Sequence, residues 1–483
     1  MKIGTIIGNR LSSVPVVGRL TEAYRIGARQ QRMLRTAPPP RAETPVPSPE
    51  PAPEPVAQPA PQPAPEPAPQ PAPQPTAPPP QTVAAWLDAR WPAIRPIDCF
   101  PAPSGGPRIS LVTDAIDPAH LFGGVGTALV LGTLLANHSR AALRLVTRNV
   151  PPDASAVGAV LKANGVRLEG RLEAVHAPHR DGRELPISED DFFISTSWWT
   201  TRSLLSTVPR ERIAYLLQED ERMFYPYGDE RLRCEQTLHE PDVLTIVNSR
   251  LLFDHLVEGP DPIPGIADRS TWFEPAFPAA PAEPAAPRHA KRRLFFYARP
   301  NNLRNLFELG IQALAEAVAD DTFHPAKWDV FLVGKDVPDL AFPRGLRPHR
   351  VAGLGWADYQ SLVRTMDAGF VLMDTPHPSY PPLDLAAAGA VVLTNSRGLK
   401  QDLSRYSDNI SVVSPTLPHL RAGLAELARA ACDDEARASA AETDRICRDW
   451  SQSLDAVVAR IASHCGWDQR PIRLPNTPLR QAG

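Results

Sequence analysis

The chain has little cysteine, little net charge and no long apolar run. Its 483 residues include five cysteines, at positions 99, 234, 432, 447 and 465, and none of them form a CxxC pair. This usage argues against a disulfide framework and a cysteine zinc site, and it is typical of a reducing compartment. The formal net charge of −3 does not favour nucleic-acid binding. No apolar run reaches the ~18 residues that a membrane-spanning helix needs.

The first 36 residues are basic, but their pattern is not that of a signal peptide. The apolar stretch MKIGTIIGNRLSSVPVVGRL is broken by Asn9 and Arg10, and no small-residue cleavage site follows it. Six arginines against one acid, with apolar side chains between them, fit two interpretations. One is a basic amphipathic helix at a membrane surface, and the other is a solvated leader. We predict a cytoplasmic chain. The alternative is a cytoplasmic chain that contacts the inner face of the membrane.

Proline, in contrast, is abundant. The chain contains 57 prolines, about twice the ordinary share. Between residues 37 and 83 proline recurs at nearly every second position, so this segment cannot bury apolar surface and stays extended. At ~3.1 Å per residue in a polyproline II helix it could reach up to ~130 Å. We predict a disordered, Pro/Ala-rich linker.

Ordinary globular sequence begins near residue 84 and alternates short apolar runs with segments of helical spacing. The runs lie at 108–116, 142–150, 191–196, 212–218 and 242–249, and then at 293–300, 328–334, 368–375 and 390–396. Buried strands that alternate with helices indicate parallel sheets with crossover helices. We therefore predict an α/β fold with two Rossmann-like domains, at 84–285 and 286–445, followed by a C-terminal helix and tail at 446–483.

Three glycines stand before a predicted helix of the first domain. Gly123, Gly124 and Gly126 are placed where backbone N–H groups suit a phosphate. They depart from the dinucleotide fingerprint, because they do not follow strand 108–116 directly and the next strand ends at Arg148 rather than at an acid. A phosphate loop, an NAD site and a tight loop that serves only packing all remain open.

Two arginines follow the first strand of the second domain. Arg299 stands at the carboxyl end of this strand, and Arg304 is predicted in the first turn of the next helix. Ligands of parallel sheets bind at carboxyl ends of strands, and guanidinium groups beside free N–H groups suit a diphosphate. The alternative is a surface ion pair between Arg304 and Glu308, four residues further along the helix.

The stretch HPSYPPLDLAAAGAVVLTNS combines prolines, one acid and small residues before a buried strand. Pro381 suits the start of a helix, with Ser379 or Tyr380 as its cap, and Gly389 suits its end. Asp384 is predicted in the first turn of this helix. There it would either interact with the helix dipole or accept hydrogen bonds from the hydroxyls of a ribose.

In this order, the pieces of the second domain resemble the retaining GT-B glycosyltransferases of family 4. The segments that carry the resemblance are VFLVGKD, LGWADYQSLVRTMDAGFVLM and DLAAAGAVVLTNSRGLKQDL. More narrowly, LFGGVGTAL, STSWWTT, LLQEDERMFYPYGDE, ARPNNLRNLFELG and PHPSYPPLDLAAAGA are similar to bacterial rhamnan-synthesis and S-layer rhamnosyltransferases. The resemblance covers residues from about 105 to 450. It departs from the family in two places: the first acid of the E-x7-E pair falls at Pro376, and the second acid is Asp384 rather than glutamate.

The resemblance implies a GT-B fold, in which the two domains face each other across a cleft. It also implies transfer of a sugar from a nucleotide diphosphate donor to a growing bacterial surface glycan, free or lipid-linked, with retention of anomeric configuration. We expect dTDP-L-rhamnose as the donor and neither a metal nor another cofactor. Two alternatives remain, a nucleotide-sugar epimerase of the same fold and a catalytically inactive scaffold.

The candidate site residues divide by their expected roles. Those for the donor diphosphate are Arg299, Arg304, Gly123 and Gly124, and those for the nucleoside are Asp384, Tyr380, Pro381 and Gly334. Those for the acceptor follow strand ends of the first domain and are Trp198, Trp199, Gln218, Glu219 and Tyr225. The candidate catalytic residues are His377 and Asp220. Polar groups and rings at strand ends suit a sugar, although core packing is the competing interpretation for each aromatic side chain.

Overall fold

Two parallel β-sheets organise the chain in a computed structural model that describes residues 81–116, 123–179, 184–278 and 289–467. The predicted leader, almost all of the predicted linker and the end of the tail lie outside these residues. Helix α1, Val83–Arg90, follows directly on the linker. The hydroxyl of Thr82 caps this helix by accepting a hydrogen bond from the Ala85 N–H at 3.2 Å.

The first domain is built on a seven-stranded parallel sheet in the order β4-β3-β2-β6-β7-β8-β9. The strands up to this point in the chain are β1 (Cys99–Pro101), β2 (Arg108–Thr113), β3 (Ala142–Thr147), β4 (Leu172–His176), β5 (Leu185–Ile187), β6 (Asp191–Ser195), β7 (Ile213–Leu217), β8 (Leu244–Asn248) and β9 (Ser270–Phe273). The helices are α2 (Gly124–Ser139), α3 (Ala154–Ala163), α4 (Trp198–Leu204), α5 (Asp229–Leu238), α6 (Arg250–Glu258) and α7 (Ile266–Arg269). Strands β1 and β5 form a separate parallel pair.

The second domain is built on a six-stranded parallel sheet in the order β12-β11-β10-β13-β14-β15. Its strands are β10 (Arg292–Ala298), β11 (Trp328–Gly334), β12 (His349–Ala352), β13 (Ala368–Phe370), β14 (Val391–Asn395) and β15 (Ile410–Val413). The helices are α8 (Phe307–Ala319), α9 (Trp356–Val363), α10 (Tyr380–Ala387), α11 (Leu417–Ala430), α12 (Asp434–Glu442) and α13 (Trp450–His464).

Helices cover both faces of each sheet. In the first domain α2, α3 and α13 share a buried apolar cluster with one face, while α4 to α7 share a cluster with the other. In the second domain α8 and α11 pack on one face, and α9 and α10 pack on the other. The predicted GT-B arrangement of two Rossmann-like domains is confirmed.

Each sheet reverses its strand order once. The reversal lies between β2 and β6 in the first sheet and between β10 and β13 in the second. Carboxyl ends of the strands at such a switch point leave a crevice where ligands of open α/β sheets bind. At these positions the apolar runs of the sequence are longer than the strands that form. The run 368–375 forms a strand only over Ala368–Phe370. Its last residues leave the sheet and become loop residues above the crevice.

The last described helix returns to the first domain. In α13, Leu454 and Ile461 are buried in the apolar cluster of the first sheet. The indole Nε1 of Trp450 donates a hydrogen bond to Asn164 Oδ1 at 2.8 Å. The described residues thus include the segment in which the chain returns from the second domain to the first. None of the helices that the structure describes has the length and apolar composition required to span a bilayer.

Gly334 allows the carboxyl ends of β10 and β11 to approach each other closely. Ala298 and Gly334 are paired in the register of these strands. A Cβ atom on Gly334 would lie 1.8 Å from the carbonyl oxygen of Ala298, which is backbone and cannot rotate away. The second sheet therefore requires glycine here for packing, whatever its role toward a nucleoside.

We expect Gly334→Ala to lower the free energy of unfolding by about 2 kcal/mol or more, because the strand ends must separate to fit a methyl group. The matched control is Gly158→Ala in α3, where an added Cβ meets no atom within 4 Å. There alanine should raise stability by up to about 1 kcal/mol through helix propensity. Urea unfolding followed by circular dichroism measures both. Equal midpoints for the two variants would contradict the packing argument.

Candidate functional site

Side chains of the two domains meet at the carboxyl ends of the strands. Glu219, which stands two residues after β7, places its Oε1 3.3 Å from Nη1 of Arg304. Its Oε2 accepts a hydrogen bond from the hydroxyl of Thr375, in the loop after β13. The guanidinium of Arg304 also lies over the ring of Phe224, 4.2 Å from its centroid. One carboxylate of the first domain is thus held by two groups of the second.

Arg304 lies before helix α8 and not in its first turn, so that prediction is wrong. It occupies a 3₁₀ turn, Leu303–Asn305, and Leu306 then adopts a left-handed φ of 47° that delays the helix to Phe307. The surface pair with Glu308, which was the alternative interpretation, is replaced by the pair with Glu219. Nη1 is buried, and its contact with Glu219 is an ion pair without a hydrogen bond.

The arginine turn is tied to the loop after β13. The N–H of Asp374 donates to the carbonyl of Arg304 at 2.6 Å, and Asn305 Nδ2 donates to the carbonyl of Leu372 at 3.3 Å. These contacts fix the position of the Arg304 backbone at the switch point between β10 and β13. Arg299 is more exposed, and its nearest recorded partner is the hydroxyl of Tyr297 at 3.4 Å.

Lys400 is a buried cation that no sequence pattern identified. Its Nζ donates to the carbonyl of Met373 at 3.0 Å, and the residue has no solvent-exposed surface. Burial lowers the pKa of this amine to about 8, against the opposing attraction of Glu219 and Asp374. The ammonium form therefore still dominates at neutral pH. Lys400 and Arg304 place two positive charges around Glu219.

The loop from Thr375 to Ser379 closes on itself. The N–H of His377 donates to Thr375 Oγ1 at 3.2 Å, and the N–H of Ser379 donates to His377 Nδ1 at 2.9 Å. Burial lowers the pKa of His377 to about 4, so the ring is neutral at pH 7. Helix α10 begins at Tyr380, and the hydroxyl of Ser379 makes no capping hydrogen bond. The predicted cap is wrong in this respect.

Asp384 lies in the second turn of α10, so the predicted position in the first turn is wrong. Its Oδ2 accepts a hydrogen bond from the hydroxyl of Tyr359 and its Oδ1 from Nε2 of Gln360, both at 3.2 Å. Burial raises the pKa of this carboxyl to about 7, although both hydrogen bonds oppose the shift. Helix α9, which carries both partners, therefore sets the environment of Asp384. Its contact with a ribose stays a prediction.

Tyr380 joins the two domains. Its hydroxyl lies 2.6 Å from Thr127 Oγ1 and accepts a hydrogen bond from Asn248 Nδ2 at 2.8 Å. Both partners belong to the first domain. Pro381 occupies the first turn of α10, as predicted from its fixed φ. The helix ends as predicted, with Gly389 at a φ of 86° just after it.

The glycine turn of the first domain lies beside Gln218. Helix α2 begins at Gly124, with Gly123 before it at a φ of 56°, so Gly126 lies inside the helix and not before it. Gln218 Nε2 donates to the carbonyl of Gly124 at 2.9 Å. A Cβ on Gly124 would lie 2.8 Å from the same nitrogen. The amide and the glycine turn thus pack against each other.

Two of the three aromatic acceptor candidates bind each other. Trp198 is buried, and its Nε1 donates to the hydroxyl of Tyr225 at 2.8 Å. The backbone N–H of Trp198 donates to Glu221, whose carboxyl has its pKa raised to about 8 by burial. Trp199 is half-buried, and its Nε1 donates to the carboxylate of Asp114 at 2.9 Å. Packing therefore describes Trp198 and Tyr225 better than an exposed sugar platform does.

Asp220 forms a buried ion pair. Its Oδ1 lies 2.9 Å from Nε of Arg222, and its Oδ2 lies 3.3 Å from Nε2 of His255. Burial alone would raise the pKa of this carboxyl, but hydrogen bonds from His255 and Arg222 outweigh it and lower the pKa to about 2. The group stays ionised and engaged, so this arrangement gives no support to the predicted catalytic role of Asp220.

Two family models match the chain, in the order of its two domains. The model described as "WsaF, N-terminal domain" matches residues 108–250, and the model described as "WsaF, C-terminal domain" matches residues 292–425. Together they cover more than half of the chain.

One curated relative and two solved structures are also similar to parts of this chain. The O-antigen biosynthesis protein RfbC of Myxococcus xanthus is 30% identical over 254 residues, which are 51% of this chain and 19% of RfbC. The chain thus matches only a minor part of that relative. HepE from Anabaena, in complex with UDP-glucose, has a TM-score of 0.49 and 13% identity over 75% of this chain and 99% of HepE. WaaG, a glycosyltransferase involved in lipopolysaccharide biosynthesis, has a TM-score of 0.47 and 12% identity over 73% of this chain and 99% of WaaG.

We expect the stability of the protein to depend on pH through Asp384. Because burial raises its pKa to about 7, the folded chain keeps a proton that the unfolded chain loses above about pH 4. The stabilisation that this protonated carboxyl gives the folded chain is therefore fully present below pH 4 and is lost as pH rises toward 7. Asp384→Asn should gain stability relative to the wild type between pH 5 and pH 8, measured by urea unfolding. The same substitution at the exposed Asp268 is the control, and parallel pH profiles for Asp384→Asn and the wild type would contradict the expectation.

Proposed function

Because this chain belongs to the WsaF family, with both of its domains present in order, we propose that it is a glycosyltransferase of bacterial glycan biosynthesis. It takes its sugar from a nucleotide diphosphate donor. The observation that carries this proposal is the cluster in which Arg304 pairs with Glu219 near the buried Lys400, beside buried polar atoms that have no hydrogen-bond partner among the described residues. Such a cluster suits an anionic ligand with several oxygen atoms.

The two cations suit the departing diphosphate. Negative charge develops on this group as the bond to the sugar breaks, and fixed positive charge in a buried site stabilises it. Arg304 and Lys400 are both held by the loops that follow strands of the second domain. Arg299, which is exposed at the end of β10, is the third cation within this proposal. The diphosphate itself can accept the proton of the attacking hydroxyl, so this chemistry needs no separate base.

We propose L-rhamnose as the transferred sugar, dTDP as its carrier and retention as the stereochemical course. Support for these finer assignments comes from the motifs around Trp198, Arg304 and Asp384, which are similar to those of bacterial rhamnosyltransferases. The acceptor is a growing surface glycan, in keeping with the name of the relative RfbC. We place the reaction in the cytoplasm, at the inner face of the membrane.

A donor-dependent assay tests this function. Full-length protein with dTDP-L-rhamnose should release dTDP only when a rhamnosylated acceptor is present. We expect Arg304→Ala to lower kcat/KM by about 100-fold or more, because it removes a charge from the leaving group. Arg421→Ala is the control, since Arg421 pairs with Glu316 and Asp320 on the surface. Epimerised sugar without acceptor would favour an epimerase, and absence of donor binding would favour a scaffold.

Glu219 competes with the proposed diphosphate for the same cation. In this structure its carboxylate occupies Arg304 and Thr375, and it lies in the field of Lys400. A diphosphate that binds Arg304 must take the place of this carboxylate. Glu219 therefore weakens donor binding while it holds the two domains together.

We expect Glu219→Gln to bind dTDP about 5-fold more tightly, which corresponds to loss of about 1 kcal/mol of competing ion pair. The matched control is Glu274→Gln, because Glu274 also accepts a hydrogen bond across the domains, from the Tyr406 hydroxyl at 2.7 Å. Isothermal titration calorimetry measures both. Tighter binding in both variants would point to a loosened domain contact, and weaker binding in Glu219→Gln would show that Glu219 itself helps to hold the ligand.

A further inference from the structure

Two hydrogen-bond donors in the loop after β13 are buried without an acceptor. His377 is 2% exposed and Ser379 is 4% exposed. No described residue pairs with His377 Nε2 or with the hydroxyl of Ser379. An unsatisfied buried donor destabilises the folded chain. Two such donors within three residues of the chain mark this loop as a place where a ligand can supply the acceptor.

The backbone fixes which nitrogen of His377 carries the proton. Nδ1 accepts the hydrogen bond from the Ser379 N–H at 2.9 Å, so its lone pair is already used. In a neutral imidazole the proton is then on Nε2, and Nε2 can only donate. The charged groups that act on the ring are Glu219, which raises its pKa, and Lys400 and Arg304, which lower it. The ring of Tyr380 lies 6.0 Å away and adds no charge.

Ser379 holds this geometry at a conformational cost. Its φ of 70° lies in the left-handed region, where a residue with a side chain is strained. This conformation aims its N–H at His377 and leaves its hydroxyl without a role in capping α10. The strained backbone of Ser379 therefore fixes the tautomer of the His377 imidazole and leaves the Ser379 hydroxyl free to donate.

From this geometry we infer that His377 Nε2–H and Ser379 Oγ–H donate hydrogen bonds to an oxygen of the bound nucleotide sugar. The inference rests on the proposed function. It makes His377 a neutral binding group, rather than the general acid or base that its residue type first suggests. The oxygen belongs either to a hydroxyl of the transferred sugar or to the diphosphate.

Two amide substitutions distinguish the roles of the two ring nitrogens of His377. In His377→Gln the amide nitrogen reaches the position of Nε2 and keeps a neutral donor. In His377→Asn the amide lies near the position of Nδ1, so Ser379 keeps its acceptor but the ligand loses its donor. We expect dTDP-L-rhamnose to bind within about 3-fold of wild type in His377→Gln and about 10-fold more weakly in His377→Asn. Ser379→Ala should weaken binding by about 5-fold, and thermal unfolding checks that all variants are folded.

Calorimetry with two ligands identifies the oxygen. A loss in His377→Asn that appears with dTDP-L-rhamnose but not with dTDP assigns the acceptor to the sugar, and an equal loss with both assigns it to the diphosphate. Wild-type affinity of His377→Asn for both ligands would overturn the inference. Equal loss in the Gln and Asn variants would also overturn it. Failure of the wild type to bind dTDP-L-rhamnose would instead overturn the proposed donor.

Nuclear magnetic resonance tests the tautomer without any ligand. In protein labelled with 15N-histidine, the His377 ring should show one protonated nitrogen, Nε2, unchanged between pH 5.5 and pH 8. A proton on Nδ1, or protonation of the ring within this range, would refute the neutral-donor role independently of transfer activity.

Discussion

The site depends on one interaction, the carboxylate of Glu219 between Arg304 and Thr375. The carboxylate comes from a strand end of the first sheet, and both partners come from loops at the switch point of the second. Because like charges repel, the carboxylate of Glu219 makes the positions of the half-buried Arg304 and the buried Lys400 compatible with each other. A diphosphate satisfies the same cations, so one set of charges serves both the contact between domains and the proposed ligand.

Burial sets the chemistry of this region more than hydrogen bonding does. It keeps His377 neutral, brings the pKa of Lys400 down to about 8 and brings that of Asp384 up to about 7. Each shift moves a side chain toward its uncharged form, which limits the number of bare charges inside the protein. Only Glu219 and Arg304 keep partial contact with solvent. An incoming anion thus reaches the cluster at Glu219 and Arg304. At these two residues contact with solvent lowers the free-energy cost of keeping a side chain charged.

The alternation of apolar runs predicted both sheets and all nine strands on which that prediction rested, since each of these strands has a neighbour on both sides in its sheet. The strands that were missed, such as β4, β12 and β15, lie at sheet edges and carry half-exposed residues that leave no apolar run. Local geometry was less predictable. Leu306 adopts a left-handed conformation without being glycine, so the start of α8 and the place of Arg304 were wrong. Lys400 was missed because lysine in a loop is ordinarily solvated, and only tertiary packing shows that it is not.

The two segments that cross between the domains are bonded to each other. The N–H of Phe277 donates to the carbonyl of Cys447 at 2.7 Å, and Ala276 pairs with Cys447 as a parallel bridge. This single bridge ties the two ends of the second domain to each other, so rotation of that domain would strain the hydrogen bond between them. The same pairing means that the polypeptide cannot be divided into two independent fragments at residue 285, because the first domain is completed only by the last helix of the chain.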